Sequence, residues 1–455
     1  MKRPYITLNM AQSINGYISK GSGERAFISS QEDRERFMEL RNQSDGVLVG
    51  VNTVLKDNPY LDAPKNRETA RIVIDPKCRL KGSFNVLDGS RTTIILNSLK
   101  NDSYKENLEY VKCGSPLDLD LAMEKLAERG MKKILVEGGK FTAESFLKKG
   151  LIDSKPQIVV DDGGDLVKLL HTSRSEMREY VLGGNEETTT GVNRLRNMEK
   201  KGDLKFPMFD VNDASMKHLF DNRYGTGQSA LDGIMNATNI LIAGKRVSVV
   251  GYGFCGKGVA LRMKGMGARV IVSEIDPVKA NEALMEGYDV MPVREALKVS
   301  DMVVTVTGMK SVVDYDSIKN AKDGIILSNA GHFNNELDLD KLEKMSKHSE
   351  QVRDLVKSYT FDDGKKVYVI ADGRLVNLAA GQGHPVEIMD MSFAIQALTA
   401  EHLFRNYKEL ENKVYPVPFE VDQDVAKIRL ESLGIQIDQS TEEQVRYSES
   451  WEEGT

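Results

Sequence analysis

The sequence predicts an α/β protein of more than one domain, its later half built on a doubly wound parallel sheet. Three observations carry that prediction. First, residues 245–276 run in order as an apolar, β-branched strand at 247–250, a turn with glycines at Gly251, Gly253 and Gly256, a helix-spaced set at Val259, Leu261, Met263 and Met266, and a second strand over Arg269–Ser273 that ends at Glu274. Second, residues 1–153 alternate short apolar runs with stretches of helical spacing, the pattern of strands joined through helices. Third, 455 residues are enough for about two to four domains.

The glycine turn has a chemical meaning. Residues without a Cβ permit a tight turn and let a pyrophosphate approach the N-terminus of the following helix, where free N–H groups point outward. Gly251, Gly253, Phe254, Cys255, Gly256, Lys257 and Gly258 are therefore expected to line a dinucleotide. Glu274 stands where a carboxylate accepts hydrogen bonds from adenosine ribose hydroxyls. That selects NAD over NADP, because a 2′-phosphate would meet a like charge. A G-x-G-x-x-G run alone also occurs as an ordinary turn. The flanking strands and the acid separate this Rossmann-type reading from that one.

Composition bounds the remainder. The chain is 40% hydrophobic and 29% charged with a formal net charge of −6, so nothing argues for a nucleic-acid surface. No run approaches the ~20 consecutive apolar residues of a membrane span, and the first residues lack a signal-peptide core. A cytoplasmic protein with no membrane partner is expected. Cys78, Cys113 and Cys255 are scattered and odd in number, which gives neither a disulfide framework nor a metal-ligand spacing.

In the first 153 residues, strands are expected at 5–11, 46–51, 70–74, 92–96 and 133–136, and helices at 31–42, 119–129 and 142–149. The last strand leads through Val136, Gly138 and Gly139 into a helix. That turn reads either as a phosphate cradle or as an ordinary turn. Residues 9–16, the run Gly50-Val51-Asn52-Thr53, Asp57-Asn58-Pro59 and residues 136–139 together resemble the pyrimidine reductases of riboflavin biosynthesis. The resemblance implies a dihydrofolate-reductase-like fold and NADPH-dependent reduction of a ribosylamino-pyrimidine phosphate. It places Thr53, Asp57, Val136, Gly138 and Gly139 against the cofactor. Asn15 departs from the family's usual Asp, and the segment after Pro59 lacks a basic residue often found there. The resemblance stops near Asp153, before strands that normally close the domain, so this part is expected to be incomplete and to lean on other surfaces.

Beyond that point the text changes. Residues 158–166 form a short apolar strand ending in Asp161-Asp162-Gly163-Gly164-Asp165. Glu186, Glu187, Thr188, Thr189 and Thr190 precede Gly191, and Lys217 stands four residues before Asp221 and five before Asn222. On residues alone these read as a solvated acidic turn, a helix cap and a surface ion pair.

Those runs, followed by Thr307-Gly308, the stretch from Ser328 through Asn329, Ala330, Gly331 and His332 to Phe333, Asn377, and Gly383-His384-Pro385, resemble S-adenosylhomocysteine hydrolases of the short archaeal type from about residue 155 onward. The resemblance implies a nucleoside thioether substrate, a homo-oligomer and bound NAD that is regenerated each turnover. It implies that Lys217 handles the 3′-hydroxyl proton, that Asp221 and Asn222 orient Lys217 and the sugar, and that Asp162 serves at C4′. Glu187 grips ribose hydroxyls, His332 relays a proton and His384 gates the cleft. Thr188, Thr189, Thr190, Thr307, Ala330, Gly331, His332 and Asn377 would hold the cofactor, with Asn329 at the nicotinamide end. A cationic ring beside Lys217, together with burial, is expected to lower its pKa. The other four histidines read as structural.

The family's segment ahead of the acidic turn is not found in residues 1–153. The expected organisation is therefore a reductase-like part over 1–153, a remnant of a substrate domain over 154–225, an NAD-binding domain over 226–390 and C-terminal helices over 391–455. The join near residue 153 is expected to be abrupt, with exposed apolar edges between residues 130 and 170. Three readings compete: a hydrolase, inactive if the missing segment is essential; a pyrimidine reductase joined to a nucleotide-binding scaffold; and a non-enzymatic NAD-binding module. A chimeric gene would also give such a text.

Overall fold

The computed structural model of the chain describes residues 3–9, 31–153 and 157–451. They form two compact units, Met1–Lys155 and Pro156–Thr455. Apart from Asn9, the motif at 9–16 with Asn15 lies outside the described residues.

The first unit holds a seven-stranded sheet. Its strands are β1 (Tyr5–Asn9), β2 (Gly46–Gly50), β3 (Ala70–Ile74), β4 (Thr93–Asn97), β5 (Ser103–Lys105), β6 (Leu108–Lys112) and β7 (Lys133–Glu137), in the order β1-β7-β2-β3-β4-β6-β5. Every pairing is parallel except β5 with β6. A parallel sheet buries both faces, so its strands are apolar in consecutive positions. In β2, Leu48 joins Ile6, Ile72, Ile94, Val136 and Phe146 on one face, while Val47 and Val49 join Val54, Val73 and Ile95 on the other. The β5–β6 hairpin was not expected. Its strands are short and charged, so periodicity does not reveal them, and Glu106 turns it at a φ of +54°. The unit draws two apolar cores from its own residues.

Near its end, Leu151 is buried and Asp153 accepts from Ile6 N at 2.8 Å and pairs with Arg3 at 2.5 Å. Phe141 and Leu147 before the join, and Val160, Leu166 and Leu169 after it, are exposed.

The second unit begins with β8 (Ile158–Asp161), β9 (Gly183–Glu186) and β10 (Met208–Asp210). Its main sheet contains β11 (Arg246–Val250), β12 (Arg269–Ser273), β13 (Asp289–Val290), β14 (Met302–Thr305), β15 (Ile325–Asn329), β16 (His348–Arg353), β17 (Val356–Thr360) and β18 (Lys366–Ile370). The order is β13-β12-β11-β14-β15-β18-β17-β16, parallel through β18 and antiparallel beyond it. The strand order reverses between β11 and β14, so their carboxyl ends open a crevice in which dinucleotides bind in such sheets. The last strand, β19 (Val414–Pro416), returns to pair with β10, giving a second parallel sheet β19-β10-β9-β8. Residues near the C-terminus therefore complete the sheet that carries the acidic turn. No helix among the described residues is long and apolar enough to cross a membrane.

Candidate active site

Lys217 is the centre of a buried polar cluster. It ends the short helix Ser215–Lys217, which runs through a π-helical segment, His218–Gly225, into the helix Thr226–Thr238. π-Helical turns align residues five apart and recur at functional sites. Accordingly Lys217 Nζ donates to Asn222 Oδ1 at 2.7 Å, while the Asp221 carboxylate four residues away lies at 3.8 Å. Glu187 Oε1 is 3.5 Å from Nζ. His384 Nδ1 lies 3.0 Å from Asp221 Oδ1, and Ser392 Oγ donates to Asp221 Oδ2 at 2.6 Å. Lys217, Asp221 and Asn222 are all buried, so the surface-pair reading does not hold.

The electrostatics differ from expectation in one respect. Burial is the largest single influence on Lys217 and does lower its pKa. Glu187 and Asp221 outweigh it, and the net direction is upward. Asp221 is disfavoured as a charge by burial, yet Lys217 and His384 hold it at about 2. Glu187 moves the other way: burial raises it more than Lys217 lowers it. The cluster is a charged lysine flanked by one carboxylate that stays ionised and one that ionises reluctantly.

The glycine turn closes the neighbouring crevice. Gly251 has a φ of +102°, which only glycine adopts readily, and a Cβ there would crowd the Val306 carbonyl just past β14. Gly253 opens the helix Phe254–Gly265 with no side-chain cap, and nothing would meet a Cβ there within 4 Å. Free N–H groups and open space fit a pyrophosphate. Glu274 accepts from Tyr252 N at 2.7 Å, Ile275 N at 2.7 Å and Asp276 N at 3.1 Å, which fixes it beside the turn. Gly256 and Gly258 do different work: a Cβ at either would collide with the carbonyl of Gly251 or Arg223, so they let the helix pack closely. Phe254 stacks on His218 with centroids 4.2 Å apart, Lys257 pairs with Glu282 at 2.6 Å, and burial raises the Cys255 thiol pKa.

On the far side of the crevice, Thr307 and Gly308 are held by Glu336. It accepts from Thr307 Oγ1 at 2.8 Å and Gly308 N at 2.7 Å. Ala330 is buried, and a Cβ at Gly331 would strike the Glu336 carboxylate. Asn329 is a correction. It is buried, its amide donates to the carbonyls of Gly331, Phe333 and Gly373, and its Oδ1 accepts from Thr305 and Gly331 N. Its hydrogen-bonding capacity is spent on the loop. Asn377 is better suited to a carboxamide: its Oδ1 is buried without a partner, and its Nδ2 lies 3.3 Å from His384 Nε2.

The acidic turn borders this region. Asp161 caps the helix after it, accepting from Leu166 N and Val167 N. Asp162 is open, its side chain 71% exposed, with His332 Nδ1 3.8 Å away. Thr188 caps the helix Thr189–Lys200 through Gly191 N at 2.9 Å, as a cap reading predicts. Thr189 Oγ1 accepts from Asn212, and a Cβ at Gly308 would meet Thr190 Oγ1 at 2.9 Å. Asn212, Ser392 and Gln396 escaped the sequence reading. Gln396 donates to Glu187, and Ser392 stands one turn earlier on the helix Val386–Asn406. Two polar residues four apart beside the buried Met391 and Ile395 were the available signal.

In the first unit, Gly139 opens the helix Lys140–Lys148 with free space where a Cβ would stand, whereas Gly138 packs on Thr142. Val136 is fully buried in β7, so it aims the turn without offering its side chain. Thr53 and Asp57 lie partly exposed on the helix Val51–Asp57. Arg41 grips Glu137 through two hydrogen bonds, at 2.8 and 2.7 Å, just ahead of the glycines.

Two families match the chain. Residues 222–383 match the S-adenosyl-L-homocysteine hydrolase, NAD binding domain family, and residues 4–159 match the RibD C-terminal domain family. An adenosylhomocysteinase of Thermoplasma acidophilum is 62% identical over 304 residues, 67% of this chain and 74% of that protein. An S-inosyl-L-homocysteine hydrolase of Methanocaldococcus jannaschii is 54% identical over 305 residues, 67% of this chain and 73% of that protein. A crystal structure of a diaminohydroxyphosphoribosylaminopyrimidine deaminase/5-amino-6-(5-phosphoribosylamino)uracil reductase from Thermotoga maritima matches at 31% identity with a TM-score of 0.30, covering 32% of this chain and 42% of that one. The crevice is thus part of an NAD-binding domain, and the chain belongs to the adenosylhomocysteinase family, with a RibD C-terminal-like domain ahead of it.

Proposed function

We propose that the second unit hydrolyses a homocysteine thioether of a nucleoside, using NAD held in the crevice between β11 and β14. The observation that carries this reading is the buried Lys217–Asp221–Asn222–Glu187–His384 cluster beside an open-ended glycine turn. NAD, when bound, supplies reversible hydride acceptance at the nucleoside 3′ carbon. Lys217 takes the 3′-hydroxyl proton, oriented by Asn222 and Asp221. Because two carboxylates favour its charged form, it becomes a base only when another positive charge opposes them inside the closed cluster. Glu187 accepts from the ribose hydroxyls. Asp162, the most open carboxylate of the set, removes the C4′ proton. Homocysteine then leaves from C5′, and water adds at that carbon. His332, beside Asp162, relays the proton. His384 lies 3.0 Å from Asp221 and gates the cleft. Thr189, Thr190, Thr307 and Asn377 hold the cofactor's nicotinamide end.

Homocysteine release by the whole chain supplied with NAD tests this, with S-adenosylhomocysteine and S-inosylhomocysteine in parallel because relatives are named for each base. NAD binding without release from either would leave the scaffold reading in place.

The match over residues 4–159 supports a second activity, reduction of a ribosylamino-pyrimidine phosphate by NADPH in the first unit, with Thr53, Asp57, Gly138 and Gly139 at the cofactor. Substrate-dependent NADPH consumption is its test. The assignment of residues 154–225, 226–390 and 391–455 to separate parts also remains a proposal. Pairing of β10 with β19 argues for joining the first and last of them.

A further inference from the structure

Glu186 has no role in the chemistry above, yet it is fully buried at the point where three site segments meet. Its neighbour Glu187 turns toward Lys217, and Glu186 turns toward β8. One oxygen, Oε1, accepts three hydrogen bonds: from Gly163 N at 2.8 Å, Thr188 N at 2.9 Å and Thr188 Oγ1 at 2.9 Å. The other, Oε2, is buried without a partner. A Cβ at Gly191 would run into this carboxylate, which gives a physical reason for the glycine that ends the threonine run. A Cβ at Gly163 would run into His332 Nε2, so the amide that Glu186 holds belongs to a residue wedged under that histidine.

We infer that Glu186 is a positioning residue: its Oε1 ties the Asp162-Gly163 turn to the Thr188 cap and so sets where Asp162 and the threonines stand. This rests on the hydrolase reading for its functional consequence, but the tie itself does not. A carboxylate accepts such bonds more strongly than a neutral carboxyl or amide does. Burial is the main influence on Glu186 and pushes it up to about 7, against the three donors. The charged or titratable groups around it are Asp161 and Asp162 on the same turn, Glu187 beside it, Arg194, which donates to the Gly163 carbonyl at 2.5 Å from the helix Thr189–Lys200, and His332 over Gly163. Near neutral pH ionisation therefore works against the closed turn, since the burial cost exceeds what the three donors return.

The test uses the whole chain and Glu186→Gln, which keeps the shape and one acceptor and removes the charge. Hydrogen exchange of the peptides carrying Gly163 and Thr188, corrected for intrinsic rates, is followed from pH 5.5 to 8.5 by mass spectrometry. Homocysteine release gives kcat and KM over the same range. In the parent, protection of both peptides should fall roughly fivefold as pH passes about 7, because the ionised carboxylate favours the opened turn, and kcat should fall with it while KM changes little. Glu186→Gln should be flat, at the parent's low-pH level. Equal protection and equal pH dependence in parent and variant would overturn the inference. If the parent releases no homocysteine at any pH, the hydrolase reading fails, and the exchange measurement still decides whether Glu186 makes the tie.

Discussion

Each unit of this chain carries a glycine turn between a parallel strand and a helix, and the two are held by opposite electrostatic means. In the first, the carboxylate ahead of the glycines, Glu137, is gripped by Arg41, and both side chains are nearly buried. In the second, the carboxylate at the turn, Glu274, is met by backbone N–H groups and stays partly open to solvent. A carboxylate neutralised by an arginine stiffens a loop and has little left for a ligand. One held only by amides keeps its charge and lone pairs for a partner. Each turn thus has a carboxylate beside it, one held by an arginine and the other by backbone amides, and the second is the one proposed to serve a ligand.

The sharpest break of that comparison comes from removing the chemistry in one unit alone. Lys217→Ala should reduce homocysteine release by about 10²–10⁴-fold, the usual worth of a positioned acid–base group, while NADPH consumption by the first unit is unchanged. Loss of both activities together would mean the units do not act separately.

The mirror experiment is Arg41→Met. It leaves Glu137 buried without its cation and should destabilise the first unit by about 3–5 kcal/mol in chemical denaturation, with NAD binding retained. Adding Glu137→Leu should restore most of that loss, since replacing a whole buried pair by apolar residues is often neutral. A single Arg41 variant as stable as the parent would show that the pair does not hold the turn.

A third effect is set by pH. Glu186 has its folded pKa raised from 4.5 to about 7, so the unfolded chain gives up this proton first. Its contribution to stability is full below about pH 4.5 and is lost as pH rises through about 7. By linkage that is a loss of about 3 kcal/mol at most. The thermal midpoint of the second unit in Glu186→Gln should gain on the parent across that window. A parallel pH dependence in the two would remove the shift assigned to Glu186.

How much of this was legible in the sequence follows from where the information lies. The glycine turn, its strands and Glu274 are local, and residues 245–276 fold as read. Lys217, Asp221 and Asn222 were identified from a resemblance. Their i+4 spacing alone suggested a surface pair, because nothing local announces a π-helical turn or the helix, distant in sequence, that packs on it. Gln396 and Ser392 reach the cluster from some 170 to 210 positions away in sequence, as their hydrogen bonds to Glu187 and Asp221 record. Asn329 was misjudged because a buried amide at a strand end serves a ligand or a loop equally well until its partners are counted.

The smallest effect expected is also the one that tests the comparison most directly. Glu274 accepts three backbone N–H bonds, and a carboxylate has room to accept further bonds from a ribose diol. A 2′-phosphate would bring close to two negative charges to the same place. Glu274→Gln keeps the side chain's size and one acceptor but turns the other oxygen into a donor that faces backbone N–H groups. Binding of NAD should therefore weaken, and the penalty against NADP should shrink. Charge-assisted hydrogen bonds are worth about 1.5–3 kcal/mol, so the NAD-to-NADP affinity ratio should fall by roughly tenfold to a hundredfold, read by calorimetric titration of the whole chain with each dinucleotide. The first unit complicates the NADP arm if it binds that cofactor, so the titration is repeated with Arg41→Met, in which the first unit is expected to be destabilised. Equal affinity of the unmodified second unit for both dinucleotides would show that Glu274 shapes the turn as Glu137 does, and the contrast between the two carboxylates would be lost.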